Sequence, residues 1–181
     1  AKIDAKDILN GGLGKGEIGV ITAPTGVGKS HMLVNLGCSA LKAGFNVIHY
    51  TFELTETGTG LRYDSNLCQI PRNEVQDRKD EVIEYYKEKG EQLGKLMIKE
   101  YPTGTATVQT LRSHIEKLSL KGFIPQVLII DYADIMRSSR QYDSMRHELK
   151  KVYEDLRNLA MEKSMPIWTA SQSNRDSANS D

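Results

Sequence analysis

A chain of 181 residues, 39% hydrophobic and 27% charged, is long enough for one domain with a sizeable core and has an ordinary globular composition. Lys+Arg and Asp+Glu balance at 24 each, so no global basic field points to nucleic acid or to an acidic membrane surface, although a local basic loop remains compatible with the total. The two cysteines, Cys38 and Cys68, have neither metal-ligand nor secreted-framework spacing, and no signal peptide or transmembrane run is present, so a reducing, cytoplasmic setting without a membrane is expected.

Along the chain, five apolar, β-branched runs stand out: IGVITA (18–23), NVIHYTF (46–52), KLMIKEY (95–101), QVLIIDY (126–132) and PIWTAS (166–171). Most are continuous rather than alternating, as in strands covered on both faces of a parallel sheet. Trp168 is read as a core residue of the last run. Helical patterns lie between the runs. In residues 30–44, Met32, Leu33, Leu36 and Ala40 share a face and Gly44 stands where a helix stops. Residues 72–94 are highly charged and predict a solvated helix. Thr107 is a candidate N-cap for a stripe of Val108, Leu111, Ile115 and Leu118 that Gly122 closes. Residues 144–164 repeat the scheme with Leu149, Val152, Leu156 and Leu159. Alternation of this kind predicts an α/β fold, a mostly parallel central sheet with helices on both faces.

The turn after the first run reads APTGVGKS, Ala23 to Ser30. Except for Ala at its first position, it matches G-x-x-x-x-G-K-[ST], the P-loop pattern. A phosphate chain needs several inward-pointing N–H donors, so the backbone must curl closely around it. Gly26 and Gly28 permit that curl, and the following helix offers its free N–H groups and positive end. Pro24, Thr25, Gly26, Val27, Gly28, Lys29, Ser30 and His31 are therefore the predicted nucleotide-binding residues. Lys29 would reach the β/γ oxygens of ATP, and the Ser30 hydroxyl would ligate Mg²⁺. His31 can lie near the ribose, or simply pack or cap.

Two later strands end in carboxylates. Asp131 closes VLIID, at the sheet edge where ligands bind, and can hold Mg²⁺ opposite Ser30 or cap the next loop. Glu53 lies just past the second strand and can polarise an attacking water, with Glu56 as the competing assignment. Ser171-Gln172 ends the last strand, where it can sense a γ-phosphate or merely begin a loop.

As a set these motifs resemble the RecA-like ATPase domain of DnaB-family replicative DNA helicases, over about residues 8–175. GGLGKGEIGVITAPTGVGKS is similar to that family's opening, FELTE to its strand-end Glu motif, LIIDYADIM to its D-Y motif and ASQSNR to its S-Q-x-[NS]-R motif. The resemblance implies a RecA-like P-loop NTPase fold over 1–181, with Glu53 as catalytic base, Asp131 as the Walker B aspartate, Gln172 as γ-phosphate sensor and Arg62 as a basic group near the phosphates. It also implies a hexameric ring with single-stranded DNA in its channel, and contact with primase through an N-terminal domain that this sequence lacks. Residues 1–12 are then a possible linker remnant, and the chain, which opens without Met and closes on a polar run, is expected to be a piece of a longer protein. The basic stretch 137–147, with Arg137, Arg140 and Arg146, would face DNA or be a solvated loop. No residue here matches the family's arginine finger. Other readings stay open: with the same fold, a RecA/RadA-type recombinase or a KaiC-like regulatory ATPase, and besides these a small-molecule or nucleotide kinase or a non-catalytic nucleotide-gated module.

Overall fold

A computed structural model describes residues 12–142 and 144–172. Five strands form one parallel sheet: β1 (Ile18–Ala23), β2 (Val47–Thr51), β3 (Leu96–Glu100), β4 (Val127–Asp131) and β5 (Ile167–Gln172). Their order is β1-β5-β4-β2-β3. The chain therefore leaves β1, skips the places of β5 and β4, builds outward to β3, and returns to fill the gap. All neighbouring pairs are parallel, with Thr51 opposite Asp131 and Ala23 opposite Gln172. Each of the five predicted runs is a strand within a residue or two of its expected ends.

Among the described residues there are five α-helices: α1 (Lys29–Lys42), α2 (Glu56–Cys68), α3 (Lys79–Lys89), α4 (Val108–Leu120) and α5 (Met145–Lys163). Successive strand residues point to opposite faces, so Ile48, Tyr50, Leu128 and Ile130 pack with α4 and α5, while Val47, Val127 and Ile129 pack with α1 and α2. The stripe of α4 is buried as its period requires, and Thr107 caps it in a reciprocal capping box with Thr110. Gly44 and Gly122, at φ 84° and 85°, follow the ends of α1 and α4 in the left-handed conformation that glycine adopts without cost.

Three expectations are corrected, and one helix is added. The buried face of α1 is Leu33, Val34, Gly37, Cys38 and Leu41, and Met32 is exposed. A Gly-Cys pair is small enough to sit directly against α2, so the contact follows Gly37 rather than the larger side chains. The charged stretch 72–94 is helical only over Lys79–Lys89 and the short 3-10 turn Gly90–Gln92. Before them lie turns pinned by buried Val75 and by Arg78 between Glu74 and Glu81. Trp168 is only half-buried, packed flat over Gly19, where an added Cβ would lie 2.3 Å from its ring. Finally, α2 is a helix that apolar periodicity does not announce. Its Thr and Gly residues are weak helix formers, but Thr55 Oγ1 accepts the Gly58 N–H at 3.0 Å, and Thr59, Tyr63 and Leu67 are buried at four-residue spacing. Residues 1–11, and Ser173, Asn174 and Arg175 of the last motif, lie outside the described residues.

Candidate nucleotide site

The loop between β1 and α1 opens the crossover that carries the chain past the places of β5 and β4, and the connections reverse direction between β2 and β4, a topological switch point beside Glu53 and Asp131. Gly26 and Gly28 have φ of 81° and 95°, and Gly28 is the residue before the first turn of α1. A Cβ added at either would meet no protein atom within 4 Å. The glycines thus serve the backbone torsion and leave the concave side of the loop open, as a phosphate cradle requires. Val27 projects outward, 62% exposed. The α1 N-terminus has no side-chain cap and no acidic residue in its first turn, so its N–H groups face the cleft without a protein anion. The Lys29 ammonium lies over the loop and donates to the Ala23 and Pro24 carbonyls at 2.9 and 3.1 Å.

Asp131 ends β4 directly beneath, 1% exposed. Its Oδ1 has no hydrogen-bond partner among the described residues. Burial pushes its carboxyl above the ordinary value and the nearby Glu53 adds to this, while Ser30, Arg62 and Lys29 oppose it. A buried carboxylate oxygen without a protein donor, beside a serine hydroxyl, is a hard oxygen pair of the kind magnesium takes. The residues present therefore fit a nucleotide with its metal.

Glu53 stands on the turn after β2. The Thr51 hydroxyl holds that turn by accepting the Leu54 N–H at 3.0 Å and donating to the Leu54 carbonyl at 2.9 Å. The competing Glu56 is turned to the β3 edge, where it accepts from Lys99 Nζ and from the Glu100 N–H. Glu53 lines the cleft and Glu56 does not. Arg62 reaches the same cleft from α2. Its Nη1–H donates to His31 Nδ1 at 3.1 Å, and since a guanidinium only donates, that ring nitrogen accepts. Burial, with Arg62 and Arg72 close by, lowers the His31 pKa and keeps the ring neutral. Gln172 at the end of β5 donates its Nε2–H to Thr25 Oγ1 at 2.6 Å, bridging the last strand to the loop.

Thr25, Gly26, Gly28, Lys29, Ser30, His31, Glu53, Arg62 and Gln172 thus surround one cleft of about 260 Å³, with Asp131 under its floor. Sequence reasoning missed Leu54 and Tyr132, which also line it. It missed as well the Asp134 carboxylate, which accepts the Ser171 hydroxyl and the Gln172 N–H at the end of β5. A larger cavity of about 420 Å³ lies at the opposite sheet edge among Leu13, Phe45, Met165 and Trp168 and shares no lining residue with the cleft. Tyr85 and Tyr86 pack edge-on, and Tyr101 stacks on Phe52, so none of these three tyrosines, each an aromatic face that could otherwise stack a base, lines the cleft. Burial pushes the Cys38 thiol up to about 12, leaving it an inert small hydrophobe. Arg137, Arg140 and Arg146 are exposed beyond β4 and have no ion-pair partner among the described residues. Their loop is tethered to α5: Ser139 donates to Asp155 at 2.7 Å and the Tyr142 N–H to Glu148 at 3.2 Å.

Comparison with known proteins gives a consistent picture. The family model described as the DnaB-like helicase C terminal domain matches residues 2–181. A DnaB-like replicative helicase of Enterobacteria phage T4 is 34% identical over 175 residues, covering 91% of this chain and 37% of that protein. The replicative DNA helicase DnaB of Helicobacter pylori is 24% identical over 177 residues, covering 97% of this chain and 36% of that protein. The chain therefore spans little more than a third of these relatives' length. A solved DnaB-like replicative helicase, described with its interactions with primase, superposes with a TM-score of 0.78 at 15% identity over 93% of this chain and 42% of that one. That likeness carries the fold, a RecA-like parallel sheet.

Proposed function

Because this chain belongs to the family of DnaB-like helicase C-terminal domains, we propose that it is the ATP-hydrolysing motor of a ring-shaped replicative DNA helicase. The observation that carries the reading is the convergence of a phosphate cradle, a lysine, a buried carboxylate beside a serine, a strand-end glutamate and a loop-bonded glutamine on one cleft.

In this reading the loop amides and Lys29 bind the β- and γ-phosphates, exchanging the lysine's carbonyl contacts for phosphate oxygens. Ser30 and Asp131 would hold Mg²⁺, which neutralises charge developing on the transferred phosphoryl group. Glu53 orients water for in-line attack and accepts its proton. Gln172 exchanges Thr25 for the γ-phosphate, and Arg62 adds positive charge beside it. The product phosphate loses that contact, and Gln172 returns to the loop. An arginine from a neighbouring copy completes the site; such a finger adds about 10³–10⁵ in rate, so the isolated chain binds ATP and turns it over slowly. Arg137, Arg140 and Arg146 face single-stranded DNA in the channel of a hexamer. Primase is a further partner, as in the solved relative. Among the described residues no helix is long and apolar enough to cross a membrane.

The test is a forked DNA duplex incubated with Mg-ATP and the protein expressed from its complete reading frame. Strand separation that stops in Glu53→Gln is the expected result. Strand exchange without unwinding would replace the helicase by a recombinase, and transfer of phosphate to an acceptor other than water would replace it by a kinase.

A further inference from the structure

Asp134 is not part of the cleft, yet its two oxygens collect groups from two elements, β5 and α5. Oδ2 accepts the Ser171 hydroxyl at 2.8 Å and the Gln172 N–H at 2.9 Å, both at the end of β5. Oδ1 accepts the Tyr153 hydroxyl at 2.7 Å, from the third turn of α5. Asp134 itself sits in the 3-10 turn Ala133–Ile135, which leaves β4 two residues after Asp131. That turn is fastened separately: the Ala133 N–H donates to Thr169 Oγ1 at 3.0 Å, and Thr169 donates to the Ile130 carbonyl at 2.9 Å.

The placement has a consequence. The stretch bearing Arg137, Arg140 and Arg146 begins where the 3-10 turn ends and finishes in the first turn of α5. One carboxylate therefore ties both stems of the basic stretch, the turn before it and Tyr153 of the helix after it, to the backbone of Gln172. Gln172 is in turn bonded to the P-loop through Thr25. A displacement of Gln172 on meeting a γ-phosphate would be felt at Oδ2, and one of α5 on meeting DNA at Oδ1, within a single rigid carboxylate.

We propose that Asp134 is a positioning residue that couples the nucleotide cleft to the basic stretch, so that DNA bound there sets the rate of hydrolysis through the Tyr153–Asp134–Gln172 chain of hydrogen bonds. This rests on the helicase reading and names how its two sites communicate.

The experiment measures steady-state ATP hydrolysis by the protein from its complete reading frame, with and without a single-stranded oligonucleotide. Tyr153→Phe removes one hydroxyl and leaves Ser171 and Gln172 anchored to Asp134. Its kcat without DNA and its KM for ATP stay at the wild-type values, while stimulation by DNA falls about two- to tenfold, the effect of one lost hydrogen bond. Asp134→Ala lowers stimulation further. Asp134→Asn restores it, because an amide can offer its oxygen to Ser171 and Gln172 and donate its N–H to the Tyr153 oxygen. Wild-type stimulation in Tyr153→Phe overturns the proposal, and so does an equal loss of rate with and without DNA, since that is the mark of a purely structural contact. If the wild-type protein hydrolyses ATP with no response to DNA, the helicase reading falls together with it; a normal wild-type response with an unaffected Tyr153→Phe variant removes the coupling alone.

Discussion

On the side of the sheet facing α4 and α5, the buried polar group Thr169 is bonded to Ile130 and Ala133 and the rest of the core is apolar, with Tyr50 bonded to His114 through its hydroxyl. On the side facing α1 and α2, the strands bury His49, Thr51 and Asp131, and among the described residues four buried polar atoms lack a protein partner: His49 Nε2, Thr59 Oγ1, Arg62 Nε and Asp131 Oδ1. The first side resembles the interior of any stable α/β protein. The second carries desolvated groups that cost stability and are arranged around the P-loop. The difference teaches that this domain divides its labour by face: one holds the sheet together, and the other keeps reactive groups dry at its expense.

Leu156 lies fully buried on the apolar side, and Leu156→Ala should cost about 2–5 kcal/mol of unfolding free energy while leaving ATP affinity of the remaining folded protein unchanged. Urea unfolding with parallel nucleotide titration reads both, and a joint loss would mean that the faces are not independent. Lys29→Ala should do the reverse. Hydrolysis drops about 10²–10³-fold, as when one transition-state donor is removed, and the urea midpoint without nucleotide is unmoved.

A pH series separates the faces in another way. Burial, helped by Arg62, lowers His49 from its ordinary 6.5 to about 3, so the folded ring stays neutral while the unfolded one gains a proton below pH 6.5. The unfolded state then binds more protons, and the stability present above 6.5 is lost as pH falls toward 3, by roughly 1.4 kcal/mol per unit for this group. Urea midpoints between pH 7.5 and 5 should fall less steeply in His49→Gln than in the wild type. Identical slopes would show that His49 does not titrate on unfolding. The smallest effect belongs to the α4 cap: Thr107→Ala removes the oxygen that accepts the Thr110 N–H and should cost about 1 kcal/mol, with no change in hydrolysis per folded molecule.

How far the sequence reaches differs between the faces as well. The α4 stripe of Val108, Leu111, Ile115 and Leu118 is buried as read, because an apolar surface needs only its own 3.6-residue period to be recognised. The α1 stripe is legible only in part: Leu33 is buried and Leu36 and Ala40 pack against the same core, but Met32 is exposed because Gly37 and Cys38 bring the helix against Tyr63, a contact with no local signature. Of the candidate site, the loop, Lys29, Ser30, Asp131, Glu53 and Gln172 are legible, since each stands beside a strand end or on a motif, whereas Arg62, in the middle of α2, comes only from the family resemblance. Thr25 as partner of Gln172, and Asp134 as the group beneath it, are not legible. They depend on β5 lying between β1 and β4.

By itself, then, the order of residues determined the strands, most of the helices and a backbone loop shaped for phosphate, because turn torsions and side-chain periods act over a few neighbouring positions. Only the tertiary structure decided which strands are neighbours, which glutamate faces the cleft and which carboxylate joins Gln172 to the basic stretch. Those outcomes rest on pairings between residues up to 147 positions apart, as in Gln172 and Thr25, and no local pattern encodes them.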